Sequence, residues 1–441
     1  MSPEMAAIGM FVTLIVFFFM GHPLAFVLGG VGVLFGFFFI GPQFFGIFME
    51  RIYGTMDNFV LVAIPLFILM GNFLTISGVA DGLFKALRIL LGPIRGGVGL
   101  AVIAVSIVFA ACTGIIGASV VTMGLLAGPM LIRYGYQKEI TMGMIAAGGS
   151  LGILIPPSIM LVMMADQAAL SAGKLLMSGV IPGLTLGALY MIYIAIRCWL
   201  NPEIGPPVPA DELALIPMAK RIRDTVVFAV PPLILIFLVL GTIFFGVATP
   251  TEAAGVGAFA AFIMAIAYGK LTWSNFTDTL HQTARTVTMV IIIIVGATCF
   301  TGVFLGLGGG AALVNAILGL GLGKWGTYIL VMIIYVILGC FIDWIGIVMI
   351  TFPIFLPVAQ HLGFDMLWFV SMLAINLQMS FLTPPFGYAL FYLSGLGIEG
   401  VKLSHIYRGV VPFLILQAFG VTICTIFPEV VVWLPNIMLG K

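Results

Sequence analysis

Charged side chains are scarce in this sequence. Asp, Glu, Lys and Arg together make up 7% of its 441 residues, whereas an average soluble domain carries about 25%. The 17 basic and 16 acidic residues leave a net charge of +1 and form no basic stripe of the kind that nucleic-acid-binding proteins carry. The composition argues against an ordinary soluble domain, and no nucleic-acid partner is expected.

Motifs that carry catalytic chemistry are also scarce. The sequence contains no Walker A loop and no HExxH zinc motif, so neither ATPase activity nor an enzyme is expected. Its five cysteines are scattered, mostly in apolar runs, without the spacing of a metal or redox site. Small buried residues are the simplest interpretation of these cysteines.

Long apolar runs, in contrast, recur along the whole chain. Hydrophobic residues make up 62% of it, and runs of about 20 residues can cross a bilayer as helices. We therefore predict an all-α polytopic membrane protein, whose N-terminal run lacks a basic segment and a cleavage site and is expected to be a retained helix. The candidate spans are roughly 5–20, 24–41, 57–76, 97–112, 118–132, 140–165, 175–198, 224–246, 252–268, 286–305, 326–341, 346–360, 366–393 and 406–433.

One hydrophilic segment, 201–224, lies near the middle of the chain. It is rich in proline and charge; Arg197 precedes it, and Lys220, Arg221 and Arg223 lie at its end. The positive-inside rule places such a segment in the cytoplasm. Its central position prompts a search for a repeat on either side of it.

The two halves contain a repeat at an offset of 228 residues. The flanking charges place the first copy's proline pair on a helix that leaves the cytoplasm, and the second on a helix that returns to it. Inverted repeats with interrupted helices are typical of secondary transporters that bind substrate near the bilayer midplane. The matching positions are Cys112 with Cys340, Pro129 with Pro357, Gly135 with Gly363, Tyr136 with Phe364, Pro156-Pro157 with Pro384-Pro385, and Lys174 with Lys402.

Each copy begins with a pair of short apolar arms, at 97–132 and 326–360. The pairs are divided near their centres, at 112–119 and 340–346. About 16 residues remain for each arm, or roughly 24 Å of helix, which is less than the ~30 Å bilayer core. We interpret both pairs as re-entrant hairpins; two ordinary, tightly turned spans in each copy are the alternative.

The proline pairs interrupt two long apolar runs. Proline removes a backbone N–H and clashes with the preceding turn, and irregular backbone at membrane depth is tolerated where it is buried or lines a cavity. We predict that 154–158 and 382–386 are unwound, each facing its own hairpin tip. Freed carbonyl groups there suit Na⁺, helix N-termini suit an anion, and Ser158 and Thr383 supply hydroxyl oxygens. A packing kink is the alternative.

Asp343 is the most specific single candidate, because a carboxylate inside the membrane is a functional hypothesis by default. It lies at the tip of the second predicted hairpin, where the first copy has Ile115. It would ligate a cation or hold substrate geometry, unless the span is misjudged and Asp343 lies at the surface. Asn376 and Gln378 would line the same cavity or make interhelical hydrogen bonds. Asp166 is interpreted as a solvated charge.

A family resemblance runs almost from end to end. The chain resembles the large membrane subunit of tripartite ATP-independent periplasmic (TRAP) transporters, the DctM-like family. The matching stretches are IPLFILMGNFL (64–74), SGVADGLFKAL (77–87), TGIIGASVVTMGLLAGPM (113–130), GYQKEITMGMIAAGGSLGILIPPSIMLV (135–162), SGVIPGL (178–184), GVATPTEAAGVGA (246–258), FIDWIGIVMITFPIFLPVAQHLGFD (341–365) and NLQMSFLTPPFGYALFYLSG (376–395).

The resemblance implies a Na⁺-coupled importer of a small organic anion, a carboxylate or sulfonate. An extracytoplasmic, periplasmic binding protein would deliver the anion, and a small four-helix membrane subunit would join as a separate chain. The expected location is the cytoplasmic (inner) membrane of a bacterium or archaeon. The expected fold is an inverted-repeat elevator-type transporter with two re-entrant helical hairpins and two Pro-Pro-broken helices.

The resemblance also implies site residues, carried over by motif. Sodium-binding positions would be Thr113, Gly114, Pro156 and Ser158 at the first tip, and Asp343, Thr383 and Pro384 at the second. Ser119, Asn376 and Gln378 are proposed for the substrate cavity. Many family members have Ser-Gly-Ser-Ser at the first tip, where this chain has Thr-Gly-Ile-Ile at 113–116, so backbone oxygens suffice there or the substrate contacts differ.

These expectations divide the chain into five parts: N-terminal scaffold and arm helices (1–92), a first transport repeat (93–172), further scaffold and arm helices with the linker 201–224 (173–325), a second transport repeat (326–395) and a C-terminal scaffold helix (396–441).

Two other functions stay open. One is a self-sufficient Na⁺- or H⁺-coupled organic anion carrier without a binding protein. The other is an intramembrane enzyme using Asp343, which would need a second carboxylate nearby.

Overall fold

A computed structural model describes residues 3–214, 216–385 and 387–438, and over these residues the ordered structure is helical, without a strand. The α-helices are α1 Pro3–Phe19, α2 Leu24–Phe35, α3 Phe44–Met56, α4 Ala63–Ser77, α5 Val79–Leu91, α6 Gly97–Thr113, α7 Ile116–Arg133, α8 Lys138–Ser150, α9 Ile159–Gln167, α10 Ala172–Leu200, α11 Ala210–Ala214, α12 Met218–Phe244, α13 Pro250–Ala267, α14 Trp273–Gly306, α15 Gly309–Gly319, α16 Gly323–Gly339, α17 Trp344–His361, α18 Met366–Ser380, α19 Tyr388–Gly395, α20 Leu403–Ile426 and α21 Glu429–Met438. A π-helical segment, Gly36–Ile40, extends α2, and 3₁₀ segments, Phe59–Val62 and Leu151–Ile153, precede α4 and follow α8.

The helices confirm a polytopic membrane protein. Within the described residues, eight helical spans are long and apolar enough to cross a bilayer. A ninth arises if α15 and α16, which meet at 117°, form one bent span. The longest helix, α14, has 34 residues and extends roughly 51 Å, so its polar first third reaches beyond a hydrocarbon core of about 30 Å.

Proline accounts for two differences from the predicted spans. We predicted one run over 406–433, but α20 ends at Ile426 and α21 begins after Pro428, since proline lacks the N–H that a continuing helix needs. At the linker, Pro217 has extended backbone and directly precedes α12. Residues 218–224, predicted as linker, therefore form the first turns of a helix.

The start of α13 illustrates a boundary set by local sequence. The Thr249 hydroxyl accepts a hydrogen bond from the Glu252 N–H at 3.3 Å, and the Glu252 carboxylate accepts one from the Thr249 N–H at 2.8 Å. This reciprocal capping box, with Pro250 in the first turn, satisfies N–H groups that the helix itself leaves unpaired. Thr249 is therefore the cap of α13.

The two repeat regions pack into each other. Helix α7 of the first packs against α19 of the second, and α17 of the second packs against α9 of the first. Small residues permit close approach elsewhere: a Cβ on Gly143 of α8 would lie 2.1 Å from the Gly409 carbonyl oxygen of α20. This crossed packing brings the breaks of both regions to one place.

Candidate functional site

A cavity of about 320 Å³ lies where these breaks meet. It is bounded by the turns between α6 and α7 and between α16 and α17, and by the first turns of α9 and α19. Helices α1, α4 and α14, with the start of α2, complete the wall. The lining residues are Phe18, Leu24, Ile68, Gly114, Ile115, Ile116, Gly117, Ile159, Thr286, Met289, Val290, Ile293, Asp343, Trp344, Ile345, Tyr388 and Tyr392.

Four helices begin at this cavity. The first residues of α7, α9, α17 and α19 are Ile116, Ile159, Trp344 and Tyr388, and all four line it. The N-terminus of a helix carries a partial positive charge of roughly half an elementary charge. The cavity therefore receives positive potential from the backbone, although its described lining contains no lysine, arginine or histidine.

The first turn, between α6 and α7, is built on Thr113 and Gly114. Gly114 has a φ of +62°, and a Cβ at this position would lie 3.0 Å from the Pro157 carbonyl oxygen. Glycine thus permits both the left-handed conformation and the contact with the first interrupted helix. The buried Thr113 hydroxyl lies 2.8 Å from that of Ser119, and the Ser119 hydroxyl also donates to the Ile115 carbonyl at 3.2 Å.

The first interruption leaves α8 and its 3₁₀ extension at Ile153 and resumes as α9 at Ile159. Ser158 immediately precedes α9; its hydroxyl donates to the Ile153 carbonyl oxygen and accepts from the Leu161 N–H at 3.4 Å. Pro156 and Ser158 are both buried. The structure therefore brings Gly114 and the 156–158 segment together, while the Ser158 side chain caps a helix.

The second turn places Asp343 at the start of α17. Its Oδ2 accepts a hydrogen bond from the Ile345 N–H at 3.4 Å, so the half-buried carboxylate caps this helix and also lines the cavity. A carboxylate is stabilised at a helix N-terminus by the helix dipole. Asp343 is the one acidic residue in the described lining.

The second interruption separates α18, which ends at Ser380, from α19, which begins at Tyr388. Thr383 and Pro384 are half-buried, and the Thr383 hydroxyl donates to the Met379 carbonyl at 3.0 Å. The Tyr407 hydroxyl of α20 donates to the Pro385 carbonyl at 2.7 Å. Phe386, which we included in the predicted unwound segment, lies outside the described residues.

The chain matches a transporter family over most of its length. Residues 11–430 match the family described as Tripartite ATP-independent periplasmic transporter, DctM component. The chain belongs to this family. The predicted family relationship is confirmed, as is the prediction that the chain is a transporter permease and not an enzyme.

Several curated relatives of this DctM-family chain are named for different substrates. The C4-dicarboxylate TRAP transporter large permease protein DctM of Pseudomonas aeruginosa is 33% identical over 88% of each chain. The isethionate TRAP transporter permease protein DctMQ of Oleidesulfovibrio alaskensis is 31% identical, over 85% of this chain and 58% of that longer protein. The sialic acid TRAP transporter large permease protein SiaM of Vibrio cholerae is 28% identical over 89% of this chain and 90% of SiaM.

Solved structures share the fold. The Alcanivorax borkumensis YdaH transporter superposes with a TM-score of 0.63 at 14% identity, covering 97% of this chain and 98% of YdaH. Neisseria gonorrhoeae MtrF gives 0.59 at 15% identity, covering 86% and 83%. At these identities the likeness concerns the fold alone.

Three residues predicted for the substrate cavity of this DctM-family chain are not among its described lining residues. The Ser119 hydroxyl hydrogen-bonds to the Thr113 hydroxyl in the turn between α6 and α7. The Asn376 amide donates to the Met332 carbonyl of α16 at 2.8 Å. Gln378 is fully buried, and neither atom of its amide has a hydrogen-bond partner in the described structure. Their direct contact with substrate stays a prediction.

Tyr388 and Tyr392 are cavity residues that the sequence analysis missed. They follow the second proline pair and lie four residues apart on α19, a spacing that puts both on one helix face. A Cβ on Gly117 of α7 would lie 3.0 Å from the Tyr392 ring. The spacing was a usable signal, but the partner helix that makes this face a cavity wall lies far away in sequence.

Asp166 and Ser150 also differ from what their sequence context suggests. Asp166, interpreted as a solvated charge, accepts a 2.6 Å hydrogen bond from the Asn58 amide.

The letters GGSLG at 148–152 match the nucleophile-elbow pattern, but that pattern needs an exposed serine on a strand-to-helix turn. Ser150 is instead fully buried at the end of α8 and donates to the Ala147 carbonyl at 2.9 Å.

Proposed function

We propose that this chain is the large permease subunit of a Na⁺-coupled secondary transporter that imports a small organic anion. The observation that carries the proposal is the meeting of four helix N-termini and one acidic side chain at a single cavity, in a chain of the DctM family. Helix N-termini bind anions through unpaired N–H groups and the helix dipole. Relatives named for C4-dicarboxylates, isethionate and sialic acid, which are all anions, support this substrate class.

One of the four helix starts is best suited to the anion. No side chain of the described residues caps α7 or α19, whereas Ser158 caps α9 and Asp343 caps α17. The first N–H groups of a helix have no partner within it. At α19 the Ala389 N–H already donates to the Phe381 carbonyl at 3.2 Å, so in this proposal the anionic group of the substrate binds at the start of α7.

Sodium ions are co-substrates that bind beside the anion. Na⁺ is a hard cation and prefers oxygen ligands. Residues 113–114 with Pro156 and Ser158 offer backbone and hydroxyl oxygens, and the close approach of Gly114 to the Pro157 carbonyl concentrates them. Asp343, with Thr383 and Pro384, offers a negative charge and further oxygens. These two oxygen-rich turns are the proposed sodium sites.

The proposed transport cycle is an elevator movement. In it, α6–α9 and α16–α19 move as one body, with α6–α7 and α16–α17 as re-entrant hairpins. The packing of α7 on α19 and of α17 on α9 supports a shared movement. Helices α4 and α14, which supply the opposite cavity wall, belong to the scaffold against which this body slides.

The proposed setting is the inner membrane, with two partners. An extracytoplasmic binding protein delivers the anion, and a small membrane subunit packs on the scaffold. The family description as tripartite and periplasmic supports this assignment.

Reconstitution into proteoliposomes tests the proposal. The chain is reconstituted with its small subunit, and uptake of labelled organic anions is measured with an inward Na⁺ gradient, with a K⁺ gradient, and with or without the binding protein. Uptake that needs both Na⁺ and the binding protein is expected. Na⁺-driven uptake without the binding protein would instead identify a self-sufficient carrier, and uptake indifferent to Na⁺ would refute the coupling.

A further inference from the structure

The cavity has a strongly apolar wall. Ile115, Ile116 and Ile159 line it from the first repeat, and Met289 and Ile293 line it from α14. Polar side chains are few: the tyrosines of α19, Thr286 and Asp343. Apolar walls recognise hydrocarbon by removing it from water, with a few polar groups to fix orientation.

Few charged side chains line or surround the cavity. Its described lining has one ionisable carboxylate and no basic side chain. Arg285, next to the lining residue Thr286, is exposed and is not part of the lining. A substrate with two anionic ends would place its second end against hydrocarbon or near Asp343. One of the two proposed Na⁺ ions balances the Asp343 carboxylate and the other balances the first anionic end, so the second end would lack a compensating cation. Burying an uncompensated carboxylate is very costly.

Positive potential is available to one anionic group. The start of α7 has no capping side chain, whereas at α19, which packs against α7, the Ala389 N–H already donates to the Phe381 carbonyl at 3.2 Å. The other two helix starts already bind the Ser158 hydroxyl and the Asp343 carboxylate. The geometry thus offers one position for an anionic group, beside the apolar wall of the cavity.

We propose that the substrate is a monocarboxylate with a branched or aromatic hydrocarbon body, and that Ile115 and Ile116 determine this specificity. The inference rests on the proposed function, since it narrows the substrate class of the same cavity. The two isoleucines sit directly at the start of α7, where the carboxylate binds, so their side chains contact the first carbons of the hydrocarbon body.

Two acids of equal size distinguish a cavity that prefers a hydrocarbon body from one that prefers a second carboxylate. The acid 4-methylpentanoate has an isopropyl group where succinate has its second carboxylate, and both have the same number of heavy atoms. Equilibrium dialysis of each labelled acid against the intact, purified permease complex in Na⁺ measures binding without selection by the binding protein. We expect 4-methylpentanoate to bind at least about tenfold more tightly than succinate.

Substitutions of Ile115 and Ile116, where the turn between α6 and α7 leads into α7, test their role in specificity. The double variant Ile115→Ser with Ile116→Ser is expected to lose most of the preference for 4-methylpentanoate. The control is Ile263→Ser on α13, a position that is 49% exposed and lies outside the cavity lining. This control is expected to keep the preference. A retained thermal transition shows that each variant is folded.

Each outcome decides the inference. Equal binding, tighter succinate binding, or no binding of either acid by the folded complex would overturn it. An unchanged preference in the double variant would remove the two isoleucines from the specificity site. Repeating the dialysis with K⁺ in place of Na⁺ separates the inference from the proposed function: a preference that persists without any Na⁺ effect would leave the specificity standing and refute the coupling.

Discussion

The Asn58 amide donates a 2.6 Å hydrogen bond to Asp166 at the end of α9. Asn58 precedes the 3₁₀ segment that leads into α4, and its own Oδ1 accepts from the Val60 N–H at 2.9 Å. The bond therefore joins the proposed N-terminal scaffold to the proposed first transport repeat. If the repeat moves against the scaffold, this bond must break in every cycle.

Cross-linking this pair is expected to stop transport. With Asn58→Cys and Asp166→Cys together, a short thiol-specific cross-linker should abolish uptake, because it holds the moving body against the scaffold. The five native cysteines are buried, so the reagent should reach the introduced pair first. Each single-cysteine variant is the control and should keep its uptake. Full activity of the cross-linked double variant would refute movement at this contact.

Removing the charge of Asp343 is expected to weaken Na⁺ coupling. Asp343→Asn keeps a helix cap, since asparagine caps as well as aspartate, but it removes a negative charge from the cavity. The apparent Na⁺ affinity of uptake should fall at least about tenfold.

Asp365→Asn is the matched control for Asp343→Asn. Asp365 also caps a helix, accepting from the Trp368 N–H at 2.8 Å at the start of α18, and it lies outside the cavity lining. Its variant should keep normal Na⁺ dependence. Equal Na⁺ affinity in both variants would exclude the Asp343 charge from the sodium site.

The contact between Gly71 and Thr113 gives a third prediction. A Cβ on Gly71 of α4 would lie 3.0 Å from both the Cα and the carbonyl oxygen of Thr113. Gly71→Ala should therefore press on the first turn and lower the uptake rate several-fold, with little loss of expression. Gly30→Ala on α2, where the new Cβ meets nothing within 4 Å, is the control. Equal uptake rates in the two variants would contradict the expected interference.

A fourth prediction concerns pH and the linker. Glu212 of α11 pairs with Arg88 of α5 at 2.7 Å and accepts a hydrogen bond from the Tyr134 hydroxyl at 2.7 Å. Burial alone would raise the pKa of the Glu212 carboxyl, but the Tyr134 hydrogen bond and the Arg88 charge outweigh it and lower this pKa below its ordinary value. The stabilisation is therefore complete at neutral pH and is lost as pH falls through the lowered pKa.

Thermal unfolding across pH measures this contribution. At pH 7, Glu212→Gln should lower the free energy of unfolding by up to about 1 kcal/mol, because the pair is partly exposed. The difference from the parent protein should shrink as pH falls below about 4. Glu203→Gln, an exposed residue of the same linker, should show no such difference. A pH-independent effect of Glu212→Gln would show that packing, not charge, links α11 to α5.

Much of the fold could be predicted because its causes are local. The spans follow from the length of apolar runs, and the cap at Thr249 depends on residues within one helical turn. The errors arose at prolines: at Pro428 the hydrophobic run continues although the helix ends, and at Pro217 a helix begins within the segment predicted as linker. The family could also be predicted, because its motifs cover most of the chain.

The candidate site was predicted less completely. Asp343 stood out as a charge within an apolar run, and Gly114 belonged to a motif. Tyr388, Tyr392 and the α14 wall were missed, because nothing in their own sequence indicates which other helix they face. Asp166 was interpreted as solvated because its partner, Asn58, lies 108 residues away.

The sequence by itself determined a membrane protein of many apolar helices, since hydrophobicity and backbone chemistry act over a few residues, and its motifs identified the transporter family. Only the tertiary structure decided that the starts of α7, α9, α17 and α19 share one cavity, and that its described lining is apolar around a single carboxylate. Such convergence depends on helix packing between residues far apart in the chain, and packing is set by the shape and volume of whole helices, not by the local pattern of any one of them.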